Sequence, residues 1–310
     1  MSTLNGLMSC RQCGCTTLKD RGPAPKGRKF ADRVLRPPLP GGRIYECVSC
    51  GLVFRFPTLT EAEYEALYES VSGSYWQTTK LRGDQRQVCE EIKQRFLKGK
   101  VLDVGCYDGL LPTALGDQFE KYGIEACAEA IAVAEQRGVK ILARKIREIS
   151  QLPDQEFDII TAVDVIEHVP DPKLFLQLLM QKLKPGGIII TSTGNSKASS
   201  WKIFGARYWY SSYPDHISFI SPSWSENVAK DLGLVLLKTQ EFRYNPSTGK
   251  RALYEWCELV AKFIISTVEV SLVRFFSSSA KRLGPRLSLG RHGMFKDHFL
   301  AIFVRPEKPG

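Results

Sequence analysis

A doubly wound α/β fold with a small cysteine-rich module in front of it is predicted by three features of this sequence. The apolar run Val101-Leu-Asp-Val104 passes directly into a turn carrying Gly105, Asp108 and Gly109, the pattern of a buried strand that opens onto a ligand. Further short apolar runs follow at helix-sized intervals, at Tyr122-Gly-Ile124, Phe157-Asp-Ile-Ile-Thr-Ala-Val163 and Gly187-Ile-Ile-Ile-Thr191, as alternating strands and helices require. Cys10-x-x-Cys13-Gly and Cys47-x-x-Cys50-Gly stand ahead of all of them. At 310 residues the chain can bury the core of one full domain and carry a small appendage.

From the N-terminus, the cysteine pairs read as the two knuckles of a ribbon. A two-residue spacer lets both thiolates of a pair reach one ion from a tight turn, Gly14 and Gly51 permit that turn, and two pairs close a tetrahedral site for structural zinc. Cys10, Cys13, Cys47 and Cys50 are the expected ligands, with Cys15 a rival of poorer spacing. Cys89, Cys106, Cys127 and Cys257 read as packing residues. Residues 19–43, rich in Pro, Gly, Lys and Arg, read as an exposed basic loop, and Arg43 to Phe56 as a hairpin. Thr60-Glu-Ala-Glu63 has capping-box spacing and opens a helix through Tyr68, and an amphipathic helix over 84–98 leads to the first sheet strand. The expected boundaries are a ribbon at 1–58, connecting helices at 59–98 and the α/β domain at 99–310, with a helical insertion at about 245–293.

Within that domain, Gly105 and Gly109 allow a sharp turn and close backbone approach to a ligand. The spacing Asp-x-Gly-x-x-x-Gly is not the Gly-x-Gly-x-x-Gly of dinucleotide enzymes, so no pyrophosphate cradle is implied. Glu125 ends the second strand, where doubly wound folds place the acid that grips a ribose diol. Leu183-Lys-Pro-Gly-Gly187 is a helix end and tight turn, Asp231 to Phe242 a helix end and strand, and His298 to Val304 a last strand. Aromatic residues crowd the segment from Trp201 to Trp224, which suits an apolar pocket with polar tips. In the insertion, Leu253 to Phe276 reads as a helix apolar over most of its circumference, with a narrow polar stripe of Glu258, Lys262, Ser266 and Glu269, followed by the basic residues Lys281, Arg282, Arg286 and Arg291. Three uses compete: a lid, a homodimer face, or docking of residues 253–291 on an anionic membrane surface. A stripe that is not basic favours the first two.

The blocks Val101-Leu-Asp-Val-Gly-Cys106 with Gly109, Phe157-Asp158 through Asp164-Val-Ile-Glu-His-Val-Pro-Asp-Pro172, and Leu183-Lys-Pro-Gly-Gly187 with Thr191 resemble those of class I S-adenosylmethionine-dependent methyltransferases. The resemblance covers residues 99 to about 245, and less specifically Phe295 to Arg305. It implies a Rossmann-like seven-stranded sheet in the order 3-2-1-4-5-7-6, S-adenosylmethionine as cofactor and methyl transfer as the activity. By it Asp103, Gly105 and Gly109 line the methionine side, with Cys106 beside them and Asp164 on the same cofactor side, and Glu125 holds the ribose. Relatives often carry an acid near the adenine; here Arg144-Lys-Ile-Arg147 is basic, which leaves backbone near Ile146 for that contact. The order knuckle, Pro57, Thr60-x-x-Glu63, helix and Tyr75 is also similar to zinc-ribbon methyltransferases of sugar and cell-surface polysaccharide pathways, whose matching segment closes over the active site. That makes Tyr75 and Trp76 candidate substrate contacts, together with Trp209 and Tyr213.

Methyl transfer to a hydroxyl needs aligned reactants and a base, and the histidines offer two: His216 in Tyr213-Pro-Asp-His216, ranked first, and His168 in Asp164-Val-Ile-Glu167-His168. Asp164, Glu167, His168 and His216 also admit a rival reading as a magnesium site, by similarity to acid-x-x-Glu-His patterns in ubiquinone-pathway and small-RNA O-methyltransferases. The net charge of +10 favours an anionic partner. RNA modification is the second function class, weakened by the lack of an Arg-rich or RNP-like stretch, so nucleic acid is disfavoured as a partner. A cofactor-binding scaffold without turnover is the third, opposed by the two candidate bases. No secretory leader precedes Cys10 and no apolar run reaches about 18 residues, so the cytoplasm is the expected compartment. The function expected is O-methylation of a small or carrier-linked anionic acceptor, a sugar or secondary metabolite.

Overall fold

The computed structural model describes residues 8–31, 33–69, 79–244, 246, 248–276 and 295–307. Its strands are β1 (Leu18–Pro23), β2 (Gly27–Phe30), β3 (Arg33–Leu39), β4 (Arg43–Cys47), β5 (Val53–Phe56), β6 (Gly99–Val104), β7 (Phe119–Ile124), β8 (Lys140–Ala143), β9 (Phe157–Val163), β10 (Leu183–Gly194), β11 (Ser218–Phe219), β12 (Val235–Phe242) and β13 (His298–Val304). The helices are α1 (Glu61–Glu69), α2 (Gly83–Arg95), α3 (Leu110–Thr113), α4 (Ala128–Gln136), α5 (Pro172–Lys182), α6 (Ser199–Phe204), α7 (Pro222–Leu232) and α8 (Gly249–Phe276). Two compact units emerge: Met1–Leu67, Gly194–Ser221 and Glu241–His298 form the first, and Tyr68–Thr193, Pro222–Gln240 and Phe299–Gly310 the second.

The second unit holds nearly all of a seven-stranded sheet in the order β12-β13-β10-β9-β6-β7-β8. Counted along the α/β domain, that is the expected order 3-2-1-4-5-7-6. β6 pairs in parallel with both β7 and β9, in registers such as Leu102 opposite Tyr122 and Ile160. β13 runs antiparallel to β10, since Gly186 N donates to Arg305 O (2.8 Å) and Arg305 N to Gly187 O (3.0 Å). Leu102, Ile160 and Ile190 are fully buried, as continuous apolar runs covered on both faces must be, and each contributes about 1.5–3 kcal/mol of burial. α5 starts where its sequence says it should: the Asp171 side chain accepts from Leu174 N, and Pro172 takes the first helical position, where a missing N–H costs nothing.

The first unit is built on the four-stranded sheet β1-β4-β5-β11. Its last strand comes from far along the chain, with Ser218 opposite Phe54 and Phe219 opposite Val53. Residues 19–43 are not a loop, contrary to expectation. β1 pairs with β4, and β2 with β3, because backbone pairing proceeds regardless of the charged side chains, while Ala24 and Phe30 are buried and anchor the segment. The capping box forms: Thr60 N donates to Glu63 Oε2 (2.7 Å) and Glu63 N to Thr60 Oγ1 (3.3 Å). The insertion is helical over Gly249–Phe276, as α8. Cys89 and Cys106 are buried and Cys127 half-buried as packing residues, but Cys257 is exposed on α8. Tyr75, Trp76 and the basic residues 281–291 lie outside the described residues.

Candidate active site

In the second unit the carboxyl ends of β6 and β7 gather the expected cofactor residues. The chain leaves β6 through Gly105, whose N–H donates to Ile124 O (2.9 Å) and whose φ of +70° suits glycine; a Cβ there would lie 2.7 Å from Val165 Cγ2. Gly109, at φ +74°, turns the chain into α3. Cys106 is buried with its sulfur against Gly123, which lacks a side chain to obstruct it, so packing accounts for it.

Glu125 follows β7 and is clamped from both sides: Tyr107 N donates to Oε2 (2.9 Å) and Cys127 N to Oε1 (2.8 Å). Burial pushes its carboxyl above the ordinary range, and those amides pull it back. A carboxylate fixed in this way presents its remaining lone pairs in set directions, which fits the diol of a ribose. Asp103 is buried inside β6, with Oδ1 accepting from Thr161 Oγ1 (2.6 Å). Burial pushes it up to about 7, with the charge of Glu125 adding to the rise. Ile146 opens a short 3-10 turn over Ile146–Gln151, where Glu148 accepts from Arg144 N (2.9 Å) and is held below the ordinary range chiefly by that bond. The Gly105 turn and the clamped Glu125 together fit S-adenosylmethionine.

Asp164 ends β9 at φ +54° and pairs with Arg82 Nη2 at 2.7 Å; the same guanidinium reaches Asp84 Oδ2 at 2.9 Å. Sequence reasoning missed Arg82. It stands alone just before an amphipathic helix, and nothing local marks it as a partner for a strand end so far along the chain. Glu167 is buried and accepts from Thr193 Oγ1 (2.9 Å), and His168 closes the turn Ile166–His168 with its N–H on Val165 O (2.9 Å). Asp164 is thus paired with Arg82, so the first carboxylate of the magnesium reading is already occupied.

In the first unit the four knuckle sulfurs converge, with Cys10 to Cys50 at 3.6 Å, Cys13 to Cys47 at 3.5 Å and all four within 4.8 Å of one another. Sulfurs about 2.3 Å from a tetrahedral ion would be separated by about 3.8 Å, so the set can hold one metal ion. Cys15 stands apart, its sulfur on Thr17 O at 3.7 Å. Arg11, inside the first knuckle, donates to Arg55 O (2.9 Å) and Thr58 Oγ1 (3.2 Å), which ties the knuckle to β5.

Arg55 is buried, and its guanidinium is spent on backbone carbonyls: those of Gly41 and Ser211, of Tyr213 (3.1 Å) and, through Nε, of His216 (3.0 Å). Burial lowers it to about 10. Asp215 and Tyr64 favour its charge, and the Tyr64 hydroxyl donates to Pro214 O (3.1 Å). The segment from Ser211 to Ile217 is therefore held by the ribbon. His216 is buried with Nδ1 against Tyr210 O (2.9 Å) and its ring on Tyr213 (4.9 Å between centroids). A carbonyl can only accept, so Nδ1 carries the proton and the lone pair sits on Nε2.

Of the expected aromatic contacts, Tyr213 is partly buried, whereas Trp209 lies in the core with Trp201, Phe204, Tyr208 and Phe219. These rings pack on one another, as with Trp201 edge-on to Phe219 at 5.1 Å. Tyr208 donates to Asp297, which also faces His298 Nδ1 (3.0 Å).

Residues 81–239 match the family model of the methyltransferase domain. The chain is similar to the ubiquinone biosynthesis O-methyltransferase of Methylococcus capsulatus, 35% identical over 164 residues, 49% of this chain and 69% of that protein. To the enzyme of the same name from Coxiella burnetii it is 37% identical over 168 residues, covering 50% and 71%. Among solved structures it is similar to a SAM-dependent methyltransferase from Archaeoglobus fulgidus, with 17% identity, a TM-score of 0.44 and coverage of 71% of this chain and 93% of that one. The chain belongs to the methyltransferase-domain family and is an S-adenosylmethionine-dependent methyltransferase of class I.

Proposed function

We propose that this enzyme methylates a hydroxyl oxygen on a small or carrier-linked anionic acceptor, a sugar or secondary metabolite, with His216 as general base and zinc as the ion of the ribbon. The observation that carries the reading is the fixed tautomer of His216, with Nδ1 on Tyr210 O and the basic lone pair on Nε2. The relatives' shared name, O-methyltransferase, supports oxygen as the acceptor atom. The net charge of +10 supports an acceptor that carries negative charge.

S-adenosylmethionine, when bound, supplies an electrophilic methyl group. Glu125 orients the ribose, the Gly105 turn lets the backbone come close, and Asp103 and Asp164 lie on the methionine side. Nε2 of His216 takes the hydroxyl proton as the acceptor attacks, with Tyr213 beside it on the acceptor side; His168 is the second candidate for the base. The four thiolates of the knuckles suit zinc, which keeps no open position when cysteines fill all its places and so serves structure.

The test incubates the purified enzyme with tritiated S-adenosylmethionine and three acceptor sets: polyhydroxylated phenols, nucleotide-sugars, and total RNA. Label in an ether linkage on a small anionic acceptor is the expected result. Label confined to RNA, or on nitrogen, overturns it.

A further inference from the structure

Between the two glycines of the cofactor turn stands a residue ill suited to its backbone. Tyr107 adopts a φ of +47°, in the left-handed region that a bulky L-residue enters only at a cost. Such a conformation persists where neighbouring contacts outweigh that cost, so whatever holds Tyr107 is part of how the turn is made. On its amide side the holder is Glu125, whose Oε2 accepts from Tyr107 N at 2.9 Å. On its carbonyl side stands Asp108, which is buried, with Oδ1 accepting from Leu110 N at 3.2 Å.

Asp108 is in turn fixed from α4. Arg137 follows the last residue of that helix, and its own N–H donates to Val133 O and Ala134 O (3.1 Å each). From there Nη1 of its guanidinium donates to Asp108 O at 2.9 Å and pairs with Asp108 Oδ2 at 2.7 Å. A cation also suits the negative end of a helix. The contact is close along the whole turn: a Cβ on Gly109 would lie 2.8 Å from Val139 Cγ2 and 3.2 Å from Ala134 Cα. At its other end α4 starts after Cys127, whose N–H donates to Glu125 Oε1 (2.8 Å). One helix therefore holds both pieces of the cofactor site, the acid at its start and the turn at its end.

We propose that Arg137 is a positioning residue for S-adenosylmethionine binding: by holding Asp108 it keeps Tyr107 in the left-handed conformation that the turn requires. Without it, Tyr107 relaxes to negative φ in part of the population, and affinity falls in proportion to the molecules that keep the turn. The inference rests on the Gly105 turn and Glu125 as the place of the cofactor, and its test separates the two.

S-adenosylmethionine is titrated calorimetrically, well below the melting temperature, into wild type, Arg137→Met, Tyr107→Gly, the double variant of both, and Glu125→Ala. Arg137→Met is expected to bind about tenfold more weakly. With Tyr107→Gly in place the left-handed turn carries no steric cost, so the same change at Arg137 should weaken binding by no more than about threefold. Comparison within each Tyr107 background cancels any contact that the tyrosine ring itself makes. A merely structural guanidinium would lower the melting temperature in both backgrounds and leave the affinity ratios alike. Should Arg137→Met strand the Asp108 charge and fail to fold, Arg137→Met with Asp108→Asn removes that charge, keeps an acceptor for Leu110 N and is compared in the same two backgrounds. Affinity within about twofold of wild type, or an equal loss in both backgrounds, overturns the proposal. If Glu125→Ala also binds as wild type does, the reading of the cofactor site falls with it; if Glu125→Ala binds weakly, the role of Arg137 falls alone.

Discussion

Arg55 Nε donates to the backbone carbonyl of His216 at 3.0 Å, from a strand of the ribbon to the residue proposed as the base. The same guanidinium holds the carbonyls of Ser211 and Tyr213, and Arg55's own carbonyl accepts from Arg11 of the first knuckle. A path of hydrogen bonds therefore joins the first cysteine knuckle, through its Arg11, to the segment that carries His216. Replacing Arg55 with Met leaves several buried carbonyls without donors and should cost about 3 kcal/mol or more, read as a lowered urea midpoint. Arg55→Lys, with one cation but not the planar fork, should recover part of the midpoint and less of the turnover. Unchanged midpoints in both variants would show that the clamp does not contribute.

His216→Ala should lower methyl transfer by a factor of about 100 to 10,000 with cofactor affinity preserved. Turnover equal to wild type would move the role to His168.

Glu125→Ala should weaken S-adenosylmethionine binding roughly tenfold to a hundredfold, from the loss of a clamped, charge-assisted hydrogen bond. Titration calorimetry measures it, and an unaltered Kd would remove Glu125 from the cofactor site.

The Asp103 carboxyl stands at about 7 in the fold against an ordinary 3.8. The stability conferred by its neutral form is fully present below pH 3.8 and is lost as pH rises through 7. Asp103→Asn keeps an acceptor for Thr161 and cannot ionise. In the absence of cofactor, the melting temperature of the variant relative to wild type should climb between about pH 5 and 7 and level off above that. A difference that stays flat across the range would show that Asp103 ionises normally.

Purified protein should contain one zinc per chain, and its removal by chelation should disorder the ribbon. The pairing of β5 with β11 and the Arg55 clamp extend the effect to residues 211–219, so amide exchange there should rise together with that of residues 10–56. Protein prepared without chelators yet free of zinc would refute the assignment.

What the sequence disclosed follows from which signals are local. The Gly105 turn, Glu125 at the end of β7 and the two knuckles each declare themselves within a few residues, and the structure places each where its pattern implies. Residues 19–43 misled because their composition is that of a loop, whereas β1 exists through its pairing with β4, a property of two segments and not of one. Arg82 and Arg55 were invisible for the same reason: an arginine's partner is chosen in three dimensions. α8 showed its helical period in sequence, but the side of it that meets water depends on Leu259 finding the aromatic core.

The sheet of the first unit closes with β11, which follows five of the seven strands of the α/β sheet. During synthesis both knuckles emerge before the α/β sheet, yet β5 then presents an unpaired edge with Val53 and Phe54, which are fully covered in the finished fold, until Ser218 and Phe219 arrive. The ribbon is thus begun before the α/β sheet and completed only after five of that sheet's strands exist, and a nascent chain halted before Ser218 would present an unpaired apolar strand to its neighbours.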